Sequence, residues 1–403
     1  MFLKSKNKSD CCGCGACSDV CPKNAISMVE DETGFTYPVI NEDLCINCGV
    51  CENNCIFTEK IADSSYDCKY YAVSSKDEEV VRNSSSGGFF TLMAQEILSR
   101  DGVVYGVAYD EAFRVVHQKA QTMEQAKAFR TSKYVQSDNL ILYNSVHQDL
   151  EMGKTVLVTG TPCQIAGIKK ALSHRRIDCS NLYTCDNICH GVSSPMTFRD
   201  YMESLKKYVS DDDRITSINM RAKKKPNSNT VLQICTQKQG AIREVCDYSY
   251  YRFFLNRIAL RPSCFNCRFT SYSRSGDLSV ADFWNGSDSS FSFDTRWGVN
   301  EVLINSPKGR QLFDAVCKNA NFQEVTKEKA WQPHLEYPTQ KPKNYDLFWQ
   351  TYCTSQDKEA VIRDYLKVSP VFKVINLFTP VLRKLGLYTA FGKLYRRVFV
   401  KKK

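Results

Sequence analysis

Eight of the twenty cysteines fall into two copies of one spacing. Cys11, Cys14, Cys17 and Cys21 follow Cys-x2-Cys-x2-Cys-x3-Cys, with Pro22 next. Cys45, Cys48, Cys51 and Cys55 repeat the spacing, with Ile56 in the proline's place. Two-residue gaps let three thiolates of one loop reach three irons of a cubane, and the fourth cysteine of each copy ligates the other centre. The pattern predicts two 4Fe–4S clusters, one on Cys11, Cys14, Cys17 and Cys55, the other on Cys45, Cys48, Cys51 and Cys21. Gly13, Gly15 and Gly49 permit tight loops around them. Zinc knuckles need four ligands and do not call for this doubled eight-cysteine pattern. Cys12 stands outside the spacing and reads as a bystander.

Five more segments hold residue types that do chemistry. "RNSSSGGFFT" (82–91) is a Ser/Gly stretch opening a helix, where backbone N–H groups can cradle a phosphate. "TSKYVQS" (131–137) says little alone. "VTGTPCQIAG" (158–167) sets Cys163 at a strand-to-helix turn, and "CDNICHGVSSP" (185–195) holds Cys185, Cys189 and His190. "LRPSCFNCRFTSYSRSGDLSVADFW" (260–284) carries Cys264-x2-Cys267 and Asp282. By themselves, Cys264 and Cys267 also suit zinc, and Cys163 and Cys189 also suit buried structural thiols. No Gly-x-Gly-x-x-Gly fingerprint occurs, so a Rossmann NAD(P) site is not supported.

In this order and spacing, the five segments resemble the coenzyme F-420 hydrogenase/dehydrogenase β-subunit family of iron–sulfur flavoproteins. The resemblance runs over about residues 10 to 345. A fused two-cluster ferredoxin domain is common in that family, notably in bacterial members associated with surface-polysaccharide genes. The resemblance implies FAD and a further 4Fe–4S cluster close to it. Cys163, Cys189, Cys264 and Cys267 are the candidate ligands of that third cluster, and Cys185 competes with Cys189. Ser85, Ser86, Gly87 and Gly88 are candidates for the flavin phosphates, and Lys133 and Tyr134 for lining the flavin. His190 is a candidate proton donor, with a hydrogen-bonded structural imidazole as the plain alternative. Asp282 is a candidate near flavin or cluster, with a structural aspartate at a strand end as its alternative.

These residues need elements to hold them. "KYYAV" (69–73), "VVYGVAY" (103–109), "TVLVTG" (155–160), "DLSVADFW" and "NEVLINS" read as strands. "GGFFTLMAQEIL" (87–98), "CQIAGIKKAL", "YSYYRFFLNRIAL" (248–260) and "PKGRQLFDAVCKNA" read as helices, with Pro162 suited to a first turn. Antiparallel strands are expected over 214–247. The expected fold class is α+β: a two-cluster domain (1–65), a mixed α/β body in two parts (66–150 and 151–350) and a basic helical tail (351–403).

Charge is unevenly placed. The net charge is +10, yet residues 1–65 hold ten acidic and five basic side chains. Residues 367–403 hold ten Lys or Arg and no acid, matching the whole excess. The acidic module is expected to dock on a basic surface, either of a redox partner (a ferredoxin or reductase) or of this chain's own body. "SPVFKVINLFTPVLRKLGLYTAFGKLYRRVFVKKK" (369–403) reads as two short basic amphipathic helices suited to lying on a membrane. A small-molecule or lipid-linked sugar substrate would fit that placement. No nucleic-acid motif is present. Without a signal peptide or an apolar span, the expected location is cytoplasmic, peripheral at the inner face of the membrane. The expected function is a flavin-dependent iron–sulfur oxidoreductase. The alternatives are a non-catalytic electron-transfer subunit or a metal-stabilised scaffold.

Overall fold

A computed structural model describes residues 1–58, 66–226, 231–238, 242–245, 249–284 and 291–366. The basic segment 369–403 lies outside the described residues. The ferredoxin module contributes one antiparallel hairpin, β1 (Ile26–Glu30) and β2 (Thr36–Ile40), between its two cysteine loops.

The body is built on one eight-stranded sheet. In chain order its strands are β3 (Lys69–Ser75), β4 (Val103–Tyr109), β5 (Val115–Ala120), β6 (Val156–Gly160) and β7 (Leu182–Asn187). They continue, after the smaller antiparallel sheet of β8 (Ile215–Ala222), β9 (Val231–Thr236) and β10 (Ile242–Val245), with β11 (Leu278–Asp282), β12 (Asn300–Ile304) and β13 (Ala320–Val325). The spatial order is β13-β3-β12-β11-β7-β6-β4-β5. β4, β6, β7 and β11 are mutually parallel, and β12 runs antiparallel to both β11 and β3. Five strands therefore end on the same edge. In open α/β sheets that carboxyl edge is where ligands bind.

Alternating side chains divide each strand between two cores. Val104 and Ala108 face the helices Phe89–Leu98 and Pro307–Cys317, through Leu92, Met93, Ile97, Leu312 and Phe313. Val103 and Tyr105 face the helices Ile141–Glu151 and Pro162–His174. The ferredoxin module joins these cores and does not sit apart from them. Ala16 and Val20 pack with Ile165 and Ile168, while Phe35 and Tyr37 pack with Phe198, Phe348 and Trp349.

Two expected boundaries move. The helix read from residue 87 starts at Phe89, because Gly88 caps it with φ +84°, a conformation glycine tolerates. The helix read over 248–260 is shorter, Ser249–Leu255, and Arg257 at φ +63° lies outside helical geometry.

Candidate metal centres and the junction between them

Cys163 follows β6 in the first turn of the helix Pro162–His174. Thr161 and Gln164 close that turn as a reciprocal capping box, and Pro162 needs no hydrogen-bond partner there. Cys189 follows β7, whose register with β11 is prolonged by Ile188 N–H donating to Val280 O at 3.0 Å. Cys264 lies within the short turn Pro262–Asn266, and Cys267 directly follows it. Two isolated bridges, Val135 with Ser193 and Ser193 with Leu260, tie these loops together beyond the sheet. Gly191 sits at φ +130°, where a Cβ would stand 2.8 Å from Leu260 Cδ1 and 3.4 Å from Cys264 Cβ. Only glycine lets the Cys189 and Cys264 loops approach so closely.

The four thiols converge. Cys163, Cys189, Cys264 and Cys267 line one cavity together with Cys12 and Phe57. Burial, then Cys264, Cys163 and Cys267, hold the Cys189 thiol well above its ordinary range. Burial pushes Cys264 up to about 12 and Cys267 up to about 11. Buried thiols that resist ionisation next to one another fit a site completed by a cation, since a coordinated thiol loses its proton outright. Among the described residues no three His, Cys, Asp or Glu are gathered so as to hold a metal ion. A single tetrahedral zinc would draw its sulfurs to about 3.8 Å from one another, given Zn–S bonds of about 2.3 Å, whereas a cubane's ligands stand farther apart. Cys185 is not in the group: it lies buried within β7, its Sγ turned to Asp186 O.

In the ferredoxin module, Cys17 is pushed up by burial and then by Cys14, Cys11 and Cys55. Cys51 has Cys21 among its charge neighbours. Cys17 also has Cys51, of the other expected centre, among its charge neighbours, so these contacts gather the module's cysteines without dividing them between two centres. Cys11, Cys14, Cys17 and Cys55 line a second cavity, and Cys12 and Phe57 border both cavities.

Cys12 is therefore not a bystander. Its thiol reaches both Cys14 and Cys163, and its own pKa is held well above the ordinary value by those two hydrogen bonds. The bond from Cys12 pulls Cys163 down to about 7. The module is locked at this point by Tyr143 Oη and Asn139 Nδ2 donating to Cys14 O, and by Gln136 Nε2 donating to Cys12 O at 3.0 Å. Gly167 makes the approach possible. A Cβ there would lie 3.0 Å from Cys14 Cβ and 3.2 Å from Cys14 Sγ. Arg175 pairs with Asp19 at 2.6 Å and Arg199 with Glu30 at 2.5 Å. The body thus offers part of the basic surface expected for the acidic module.

The residues named for a flavin lie on the carboxyl edge but have other partners. Ser85 Oγ accepts from Ser132 N at 2.9 Å, and Ser86 Oγ donates to Val299 O at 2.5 Å. A Cβ on Gly87 would stand 2.3 Å from Val73 O and 2.7 Å from Asn300 N, so this glycine serves close packing between β3 and β12. The N–H of Phe89, an open donor of the helix start, is taken by Asn300 Oδ1 at 3.0 Å. Lys133 is buried and donates to the carbonyls of Ala128, Arg130 and Thr131. Burial brings it down to about 7. Tyr134 packs on Tyr251 and Phe254. The Ser85 and Ser86 hydroxyls, the Phe89 N–H and Lys133 are thus engaged with the protein's own groups.

Asp282, at the end of β11, pairs with Arg221 of β8 at 2.7 Å. Arg221 also reaches the Tyr134 side chain, and its buried Nε has no hydrogen-bond partner. Nothing in the sequence of β8 distinguished this arginine from the other basic residues around it. The His190 ring lies 4.2 Å from that of His334, the two planes tilted by 40°, and meets the half-exposed Trp284 edge-on at 6.1 Å. Burial, then His334, brings it down to about 4. The pair Asp186–Arg274, 2.7 Å apart and fully buried, explains the "SYSRSGD" stretch as structure: Asp186 also accepts from Ser275 N, Gly276 N and Ser279 Oγ.

Comparison with known proteins follows this division. Residues 10–58 match the 4Fe-4S dicluster domain, and residues 153–330 match the family described as the C terminus of the coenzyme F420 hydrogenase/dehydrogenase beta subunit. A coenzyme F420-dependent sulfite reductase of Methanocaldococcus jannaschii is 29% identical over 170 residues, covering 40% of this chain and 25% of that protein. An uncharacterized ferredoxin of the same organism is 39% identical over 49 residues, covering 12% of this chain and 62% of its own length. The chain thus spans about a quarter of the reductase and under two thirds of the ferredoxin. Among solved structures, one of the F420-reducing [NiFe] hydrogenase complex from Methanosarcina barkeri aligns with a TM-score of 0.43 and 18% identity, over 76% of this chain and 93% of that one. Along the chain, a stretch similar to the 4Fe-4S dicluster domain is thus followed by one similar to the C terminus of the coenzyme F420 hydrogenase/dehydrogenase beta subunit.

Proposed function

We propose that this chain is an iron–sulfur flavoprotein oxidoreductase in which electrons pass between the dicluster domain and a third 4Fe–4S centre held by Cys163, Cys189, Cys264 and Cys267. The observation that carries the proposal is the convergence of those four thiols, from three separate loops, on the carboxyl edge of the sheet against Cys12 and Cys14. When bound, iron–sulfur centres supply one-electron transfer, and a flavin couples single electrons to hydride chemistry. Cys12 and Phe57 form the wall shared by the two cavities, which fixes their separation. His190 lines the body cavity, with His334 and Trp284 against its ring, and can position a substrate there.

For a flavin, one residue on this edge with an open donor is Arg221. Its unpaired Nε, beside Tyr134 and Asp282, suits an anionic group better than the closed helix start at Phe89. A sugar or lipid-linked substrate and a membrane-facing tail belong to the same proposal and rest on residues 369–403. Among the described residues no helix is long and apolar enough to cross a membrane.

The test is anaerobic reconstitution with quantitation of iron, sulfide and flavin, followed by a screen of reductants and acceptors that includes coenzyme F420. The expected result is about twelve irons per chain with stoichiometric flavin, the latter reduced in Arg221→Gln. Saturation near eight irons would remove the third centre. The match to a beta-subunit family favours one second reading, an electron-carrying subunit. Substrate-dependent reoxidation of the isolated reduced protein separates the two.

A further inference from the structure

Arg261 is fully buried, yet no carboxylate pairs with it among the described residues. A guanidinium cannot lose its proton in a protein, and an uncompensated buried charge is strongly unfavourable. Its hydrogen bonds go to neutral groups: Nε to Cys11 O at 2.8 Å, one terminal nitrogen to Gln136 Oε1 at 2.9 Å, the other to Thr36 O at 2.9 Å. The faces of Tyr37, 4.3 Å away, and Phe35, 5.3 Å away, enclose it. Among the described residues, the ionisable groups against it are the Cys11 thiol and the Tyr37 phenol, and burial holds the phenol far above its ordinary range, which leaves the thiol to carry negative charge. The Thr36-bonded nitrogen also lies 3.7 Å from Cys11 Sγ, and the sulfur groups next in electrostatic order are Cys12 and Cys264. Gly13 leaves room for this arrangement, since a Cβ there would stand 2.8 Å from the guanidinium.

We propose that Arg261 is the buried countercharge of the first ferredoxin centre, placed at the junction with the body so that it stabilises the reduced state of that centre. The inference rests on Cys11 being a ligand of that centre. Four thiolates leave such a centre anionic, and one electron taken from a donor adds one further negative charge with no proton moved. A fixed cation in contact with a ligand sulfur, screened from water, lowers the free energy of the reduced form more than that of the oxidised form. Arg261 acts on the centre through charge and is a positioning residue. It also clamps the module, since it holds Cys11 O and Thr36 O while being anchored on Gln136.

The experiment uses full-length protein reconstituted anaerobically, with dithionite-poised titrations followed by electron paramagnetic resonance. Arg261→Gln removes the charge and keeps hydrogen-bonding groups; Arg261→Lys keeps the charge. With iron loading as in the unsubstituted protein, Arg261→Gln should disfavour reduction of one ferredoxin centre at least tenfold, a midpoint lower by about 59 mV for one electron. Arg261→Lys should shift less than half as far. If Arg261→Gln fails to load iron while Arg261→Lys loads it, the charge is required and the proposal stands. Unchanged midpoints in a fully loaded Arg261→Gln, equal shifts in both variants, or equal loss of iron in both would overturn it. Absence of both ferredoxin signals from the unsubstituted protein would instead overturn the ligand reading beneath it.

Discussion

The ferredoxin module takes its eight cysteines from two short loops, 11–21 and 45–55, each folded around its own spacing. The body's candidate four, at 163, 189, 264 and 267, come from three loops that meet because β6 and β7 are neighbours in register and because Ser193 bridges to Leu260 ahead of the Cys264 turn. The module's sites are thus nearly local, and their geometry follows from loop length. The body's site is a product of sheet topology, so whatever loosens the sheet edge should reach it first. The two regions also differ in titratable groups. All five histidines lie in the body, at 117, 147, 174, 190 and 334, and the module has none.

The largest effect should come from removing ligands on one side of this comparison. The paired substitution Cys264→Ser and Cys267→Ser is expected to lose about a third of the iron, four of about twelve atoms, with the resonance signals of the two ferredoxin centres intact. Iron analysis and electron paramagnetic resonance decide it. Loss of ferredoxin signals in the same protein would show that the two regions do not load independently.

The next effect is on acid stability. His117 is 2% exposed, with Nε2 facing Thr159 O at 3.0 Å and Nδ1 facing Ser137 Oγ at 3.3 Å. Burial lowers its pKa to about 4. The unfolded chain therefore binds a proton near pH 6.5 that the folded chain refuses until about pH 4. Stability is held above pH 6.5 and lost as pH falls through that window, by about 3 kcal/mol at roughly 1.4 kcal/mol per pH unit. His117→Gln should flatten this acid limb in thermal melts from pH 7 to 4. Because Ser137 also accepts from Gln164, beside Cys163, the body site should loosen along with it. An unchanged acid limb would place the proton-linked loss elsewhere.

Much of this was legible before the structure. The doubled spacing pointed to a 4Fe-4S dicluster domain, which residues 10–58 match, because a cubane fixes how many residues separate its thiolates. Pro162 and the β-branched run before it placed Cys163 correctly, since strand, cap and helix start are local features. Long-range partners were not legible. Cys12 looked idle because its importance comes from Cys163, far away in sequence. Arg261 carried one faint signal, an arginine directly after the apolar Ile258, Ala259 and Leu260 and before a cysteine pair. "SSSGG" read as a helix start able to hold phosphate, and the backbone of Val73 and Asn300 behind Gly87 gives that glycine a packing role the sequence did not reveal. The charge asymmetry was legible, but which basic groups would meet the module depended on the fold.

A smaller effect tests the seam itself. Gly167→Val would place a branched side chain where 3.0 Å separates its Cβ from that of Cys14. Overpacking of this kind costs about 1–3 kcal/mol. Denaturant melts should show that loss, and reduction of the body centre by the module should slow. Unchanged melts and an unchanged internal rate in Gly167→Val would mean that the close approach to Cys14 has no energetic weight.

The smallest effect concerns salt. If the acidic module met the body only through charge, raising ionic strength should slow electron transfer between them, because exposed charges are screened within about 8–10 Å at physiological salt. The seam points the other way. Arg199 and Glu30 are each more than 40% exposed, and such pairs contribute about 0–1 kcal/mol. Asp19 is only 8% exposed beside Arg175, but it sits next to the buried contacts of Ala16 and Val20 with Ile165 and Ile168, which salt does not weaken. Phe35 and Tyr37 anchor the hairpin in the same manner on Phe198, Phe348 and Trp349. Transfer within the chain, followed by rapid mixing between about 0.05 and 0.5 M salt, should therefore change by less than about twofold, the scale of a few tenths of a kcal/mol. Transfer from an external basic redox protein to the module's exposed acids should slow far more over the same range, because that encounter has only long-range charge to steer it. A steep salt dependence of the internal step would mean that the module undocks between turnovers, and the apolar seam would then be only one of two positions it occupies.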